Sequence, residues 1–113
     1  MNVLDKVYAI LGDKDAKLGF MPDEPDKMTG IFEYQASPLV HSFIGSDVVQ
    51  NVQVRCRGAT DEIAYQAAKA AVMALDRYHD DEVSILQNSA ILDIGRDSKM
   101  RQEYTVNFTI RRY

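Results

Sequence analysis

An α+β fold follows from three features of the sequence. Residues 48–57 and 103–111 each alternate apolar and polar side chains, the two-residue period of a half-buried strand. Residues 61 to about 79 place their apolar side chains at helical spacing. The connectors between strand-like segments are short and turn-like, which favours antiparallel over parallel pairing. Together these predict a single antiparallel β-sheet, a mixed sheet being the open alternative. An N-terminal helix and a long alanine-rich helix are expected to pack on one face of it.

Val3, Leu4, Val7, Tyr8, Ile10 and Leu11 share one helical face, and Gly12 stands where a C-terminal cap belongs. Residues 13–28 read as loop. Pro22-Asp23-Glu24-Pro25-Asp26 sets two prolines, which lack an amide donor, among three acids. Phe20 and Met21 are the short edge segment expected within it. Residues 30–34, Gly-Ile-Phe-Glu-Tyr, read as a strand. Residues 35–47 form a second irregular stretch around Pro38, Gly45 and Ser46. Its apolar Leu39, Val40, Phe43 and Ile44 either tuck under the domain or meet a partner.

In the strand at 48–57, Val48, Val52, Val54 and Cys56 share one face, with Gln50 the exception. Val49, Asn51, Gln53, Arg55 and Arg57 share the other. Gly58-Ala59-Thr60 ends it. Thr60 is positioned to cap the next helix, Asp61 and Glu62 suit the positive end of its dipole, and Arg77 and His79 lie near the opposite end. Ala64, Ala67, Ala68, Ala71, Leu75 and Tyr78 form one stripe, narrow enough to lie close against a sheet. Asp80-Asp81-Glu82 reads as a turn, and 83–86 and 91–95 as short strands. The turn-like 97–100 makes residues 91–112 a hairpin. In its last strand Tyr104, Val106, Phe108 and Ile110 alternate with Glu103, Thr105, Asn107, Thr109 and Arg111.

With 113 residues the chain is expected to be one domain spanning 1–113. A hydrophobic share of 46% and a charged share of 27% exclude a disordered or collagen-like chain. One Cys excludes an internal disulfide and favours a reducing compartment. No secretion leader, membrane span or lipidation signal is expected, so assembly in a cytoplasm is. The net charge of −4 argues against wrapping nucleic acid, which needs a basic footprint. That charge is unevenly spread. Residues 1–95 hold eight basic and fifteen acidic side chains, whereas residues 96–113 hold five basic and two acidic ones. An acidic body with a basic end suits an acidic partner surface, including another copy of the chain; solvated surface charge is the plainer account.

The two long strands each pair an apolar face with a polar one. If helices cover one side, the other is a wide surface of Asn51, Gln53, Arg55 and Arg57 beside Thr105, Asn107, Thr109 and Arg111. It is either solvated or turned towards an axial channel or a neighbouring subunit.

No catalytic constellation is visible. His41 and His79 have no second ligand at metal spacing, and one Cys cannot form a Cys-x-x-Cys pair. Cys56 falls on an apolar strand face, where a thiol is inert. The acids at 80–82 read as a solvated turn. Glycine-rich phosphate loops and a nucleophile elbow are absent. No enzyme activity, cofactor or metal is expected.

Three segments together resemble the small minor-capsid or tail-completion proteins of long-tailed bacteriophages, the tail-terminator family. The first is Phe20-Met21-Pro22-Asp23-Glu24-Pro25-Asp26 with the strand at 30–34. The second is Val52-Gln53-Val54-Arg55-Cys56-Arg57 leading into Tyr65-Gln66-Ala67-Ala68. The third and most specific runs from Ile94-Gly95-Arg96-Asp97 through Arg101-Gln102-Glu103-Tyr104 to Asn107-Phe108. The resemblance implies a structural α+β virion subunit that forms a ring, usually of six, on the head-proximal end of the tail tube. Such a ring stops tube polymerisation and offers the surface that joins the head, and DNA crosses it only in transit. The implied partners are further copies, the tail tube protein and a head-completion or connector protein, without a membrane. The implied location is the virion neck. The family has no catalytic residues to carry over. Arg55, Arg57, Arg96, Arg101 and Arg111 are expected to make subunit or tube contacts. A head-completion or connector role is the alternative, followed by a small ligand-binding α+β module and, least favoured by charge, a nucleic-acid binder.

Overall fold

The computed structural model describes residues 3–34 and 48–113. The irregular stretch expected at 35–47, with its apolar side chains and His41, lies outside the described residues.

Helix α1, Val3–Leu11, buries Val3 and Val7, while Leu4, Tyr8, Ile10 and Leu11 pack partly against the core. Gly12 ends it at φ 75°, donating its N–H to the Tyr8 carbonyl at 3.2 Å. This left-handed cap is one that glycine adopts without a Cβ penalty. The edge segment expected at Phe20 and Met21 lies earlier. It is β1, Lys17–Leu18, and Phe20 is instead exposed. Gly19, at φ 82°, turns the chain away just after β1 while its N–H still reaches the Ile31 carbonyl. Strand β2, Met28–Tyr34, starts two residues before the expected Gly30.

Strand β3, Val48–Gly58, leads into α2, Asp61–Leu75. Thr60 caps α2 as expected, its hydroxyl accepting from the Ile63 N–H at 3.2 Å. The helix stops four residues short of His79. Arg77 adopts φ 64°, its N–H donates to the Ile85 carbonyl, and the Ile85 N–H donates to the Tyr78 carbonyl. The backbone groups that would extend the helix are taken by the next strand, so Arg77 and His79 lie just beyond the helix and not in its last turn. That strand is β4, Val83–Gln87; β5, Leu92–Arg96, and β6, Gln102–Arg112, follow.

Among the described residues the sheet has six strands in the order β1-β2-β3-β6-β4, with β5 also pairing β6 beyond the end of β4. It is mixed, because β1 runs parallel to β2, while β2–β3, β3–β6, β4–β6 and β5–β6 are antiparallel. The β3–β6 register runs unbroken from Val48↔Arg112 to Gly58↔Gln102. The hairpin expected at 91–112 forms between β5 and β6, with a register shift between Asp93 and Gly95.

The core lies between one sheet face and the two helices. Ile31, Val52, Val54, Cys56, Val83, Ile85, Val106, Phe108 and Ile110 meet Val3 and Val7 from α1 and Ala68, Ala71 and Leu75 from α2. Removing this apolar surface from water is the main drive to fold. Alanine side chains let α2 approach β3 and β6 closely. Gly58 sharpens that approach, since a Cβ there would lie 2.8 Å from the Ala64 backbone nitrogen.

Candidate functional site

The sheet face turned away from the helices carries the polar alternates of β3 and β6. Cross-strand pairing arranges it in rows. Val49, Arg111 and Ser84 form the first row, and Tyr34, Asn51, Thr109 and Leu86 the second. Phe32, Gln53 and Asn107 form the third; Gly30, Arg55, Thr105 and Leu92 the fourth; Met28, Arg57 and Glu103 the fifth. Amide and hydroxyl groups bond along these rows. Gln53 Nε2 donates to Asn107 Oδ1 at 3.2 Å, Asn88 Nδ2 to Thr109 Oγ1 at 2.6 Å, and Thr109 Oγ1 to Asn51 Oδ1 at 3.3 Å.

This face is not open along its whole length, as the strand pattern led one to expect. Met28, Gly30, Arg57 and Thr105 are buried at one end of it. The segment 20–26 lies over that end. A Cβ on Gly30 would come within 2.5 Å of Met21 Cγ, and Arg57 reaches up into the loop. Arg57 Nη2 donates to the carbonyls of Pro22 at 2.7 Å, Pro25 at 2.9 Å and Asp23 at 3.2 Å, and Nε to that of Asp26 at 3.0 Å. A loop held this way has few backbone groups to spare for a sheet. One guanidinium fork satisfies several carbonyls at once.

Arg101 holds the same loop from the hairpin turn. Its side chain is 7% exposed; Nη2 lies 2.9 Å from Asp23 Oδ1 and 2.7 Å from Asp97 Oδ2, and Nη1 lies 3.4 Å from Asp26 Oδ1. Nη1 also donates to the Asp23 carbonyl, and Lys99 pairs with the Asp23 carboxylate. The Lys99 and Arg101 side chains hold the Asp23 carboxyl below the ordinary carboxylate range. The Arg101 side chain does the same for Asp97, with help from the turn amides of Arg101 and Lys99. Hydrogen bonding to Asp97 and Asp23 in turn raises Arg101.

The five arginines singled out from the sequence therefore do not form one group. Arg57 and Arg101 are buried and direct their donors inside the chain. Arg96 ties the hairpin to the first turn of α2, with Nη2 2.6 Å from Asp61 Oδ1, and remains 40% exposed. Arg111 is exposed in the first row, flanked by Val49 and Ser84. Arg55 stands half-buried in the fourth row, with Cζ 5.5 Å from the centre of the Phe32 ring. Its Nη2 donates to Gln53 Oε1 at 3.3 Å, and its Nε is buried without a partner.

Sequence reasoning missed five residues that shape this face. Phe32 and Tyr34 were readable as apolar, but their place on the polar side follows from the register with Gln53 and Asn51. Asn88 joins through the turn after β4. The loop acids Asp23 and Asp26 were visible as loop, but nothing local points them at Arg101, more than seventy residues away.

Among the described residues the remaining candidates hold no arranged chemistry. Burial pushes the Cys56 thiol up to about 12, against weaker lowering by a bond to Thr29. Asp80 is held far below its ordinary value, first by Lys6 at 2.7 Å and then by the amides of Glu82 and Val83. The turn at 80–82 is thus internally bonded and not merely solvated. A depression of about 510 Å³ is lined by Asp76, Arg77, Leu86, Gln87, Asn88, Ser89 and Ala90. Its carboxylate, on Asp76, already accepts from the Gln87 N–H at 2.8 Å. Among the described residues no three His, Cys, Asp or Glu side chains are grouped to hold a metal.

A family model described as Bacteriophage tail terminator protein matches residues 9–113, which takes in both long strands, α2 and the hairpin. No curated protein matches the chain.

Proposed function

The chain belongs to the bacteriophage tail terminator family, and from that premise we propose that copies of it form a ring on the end of the tail tube. Membership makes its role structural and its place the phage tail, and thus the virion. In the finer reading the ring holds about six copies, ends tube polymerisation and offers the surface on which the filled head is joined. Its partners are then further copies, the tube protein and a head-completion or connector protein. DNA passes through without being a ligand, and no chemistry is performed. Assembly takes place in the host cytoplasm; no helix among the described residues is long and apolar enough to cross a membrane.

The observation that carries this reading is the extent of the family match, which leaves out only the first eight residues. The layered architecture supports it. One sheet face is committed to the helical core, and the other keeps an open region rich in side-chain donors and acceptors. Different patches on one chain suit the head-to-tail contacts that close a ring by rotation. Of the five arginines, Arg55, Arg96 and Arg111 are assigned to contacts with other subunits or the tube. Arg57 and Arg101 are assigned to holding the loop that shapes the end of the face.

Electron microscopy of the purified protein, alone and mixed with tail tubes, tests the proposal. Rings of tube diameter at one end of each tube are expected. Tubes that stay uncapped and keep growing in its presence would overturn it. Finding the protein in heads and not in tails from a head-defective phage would favour the connector reading.

A further inference from the structure

We infer that the open region of the polar sheet face receives a carboxylate of a second copy of this chain, and that Arg55 is the residue that binds it. The inference rests on the ring proposed above and identifies one of its contacts. Arg55 is a half-buried cation with part of its donor fork unspent: Nη2 meets the neutral Gln53, and Nε is buried with no partner. Among the described residues its guanidinium has no ion pair, unlike Arg96 and Arg101. The face around it is short of anions. The first four rows contain no Asp or Glu among the described residues, and Glu103 stands one row further on, opposite Arg57.

A guanidinium backed by an aromatic ring has a settled plane and offers its fork to a planar oxyanion. Phe32 supplies that backing at 5.5 Å. Burying such a cation without an anion is costly, so an arriving carboxylate gains more here than on an open surface.

The occupant is a protein copy because of what surrounds the arginine. Val49 and Leu86 are 58% and 59% exposed on the same face, apolar surface that a protein partner can cover. A phosphate backbone would meet two arginines amid neutral amides and hydroxyls, too few cations for firm binding by a chain of net charge −4. The complementary charge is on the chain itself. Residues 1–95 carry the acidic excess; Glu62, in the first turn of α2, and Asp81 are exposed, and Glu82 is exposed while pairing with Lys6 at 3.3 Å. Sheet face against acidic surface is a heterologous contact, the kind that can propagate around a ring.

Arginine modification by phenylglyoxal, read by mass spectrometry, tests the assignment on the wild-type chain, free and assembled alone or on tail tubes. Arg55 is expected to react in the free chain and to be protected at least about tenfold on assembly. Arg55→Met should raise the concentration needed for assembly by about tenfold or more, because a partner carboxylate is left unpaired. Its melting should stay within a few degrees of wild type. Assembly with Arg55 as reactive as before would overturn the inference and leave the ring standing. Protection by added DNA in the free chain would overturn it in favour of a phosphate occupant. Failure of the wild type to assemble on tubes would overturn the ring and this contact together. If Arg55→Met does not fold, the wild-type footprint alone decides.

Discussion

Arg101 Nη2 lies 2.9 Å from Asp23 Oδ1, joining the turn of the last hairpin to a loop near the start of the chain. Arg57, buried in the fifth row of the sheet face, grips the same loop by its carbonyls. The two guanidiniums clasp an irregular, proline-containing segment over one end of the sheet. They decide how much of the polar face stays open.

The clasp makes stability depend on acid. Asp23 and Asp97 both fall below their ordinary value of 3.8 in the folded chain. Their stabilisation is therefore fully present above the unfolded value and is lost as pH falls through the lower folded values. The urea midpoint should be flat down to about pH 5 and drop below about pH 4. Asp97→Asn should lower the midpoint at neutral pH and make the acid drop shallower. An unchanged acid slope in that variant would show that Asp97 carries none of the effect.

Arg57→Met should loosen the loop without unfolding the sheet. Four loop carbonyls lose a buried donor, at a cost of about 1–3 kcal/mol for each group left without water or another partner. Amide exchange across residues 20–27 should quicken while the β3 and β6 amides keep their protection. Arg57→Lys should rescue this only in part, since an ammonium cannot reproduce the fork. Uniformly faster exchange would mean the residue supports the whole fold.

Gly58→Ala should destabilise the chain by about 1–3 kcal/mol through overpacking. The added Cβ would meet the Ala64 backbone nitrogen and Ile63 Cγ2 at 2.8 Å, and backbone cannot swing aside. Thr60→Ala next to it should cost about 1 kcal/mol by removing the cap. Chemical denaturation checks both; a neutral Gly58→Ala would mean that α2 shifts freely on the sheet.

Cys56 should behave as core. Its thiol is raised to about 12 from an ordinary 9.0, so at pH 8 the thiolate fraction falls by about a thousandfold before steric exclusion is counted. Reaction with a disulfide reagent should be undetectable in native buffer and rapid in denaturant. Fast native labelling would show that the β3 core opens readily.

Much of this was legible in the residues. Alternation at Val52, Val54 and Cys56 and at Val106, Phe108 and Ile110 marked the core faces of β3 and β6, and all six are buried. Thr60 marked the start of α2 because a cap is a local interaction. The end of α2 was not legible. Tyr78 continues the apolar stripe, but Arg77 and Tyr78 give their backbone bonds to Ile85, a competitor that helical spacing does not reveal.

The arginines divide along the same line. Their clustering on two strands and a hairpin could be read from the chain, and so could the family to which it belongs, because both depend on residue order. Which arginines face outward could not. Arg55 and Arg57 are identical in type and share a strand face, yet one lies half-buried beside an aromatic ring at the margin of the open region and the other under a loop. Pattern along a strand determines which side a residue takes. What covers that side depends on distant segments meeting in space, and only the tertiary structure brought residues 22–26 onto Arg57 and Arg101.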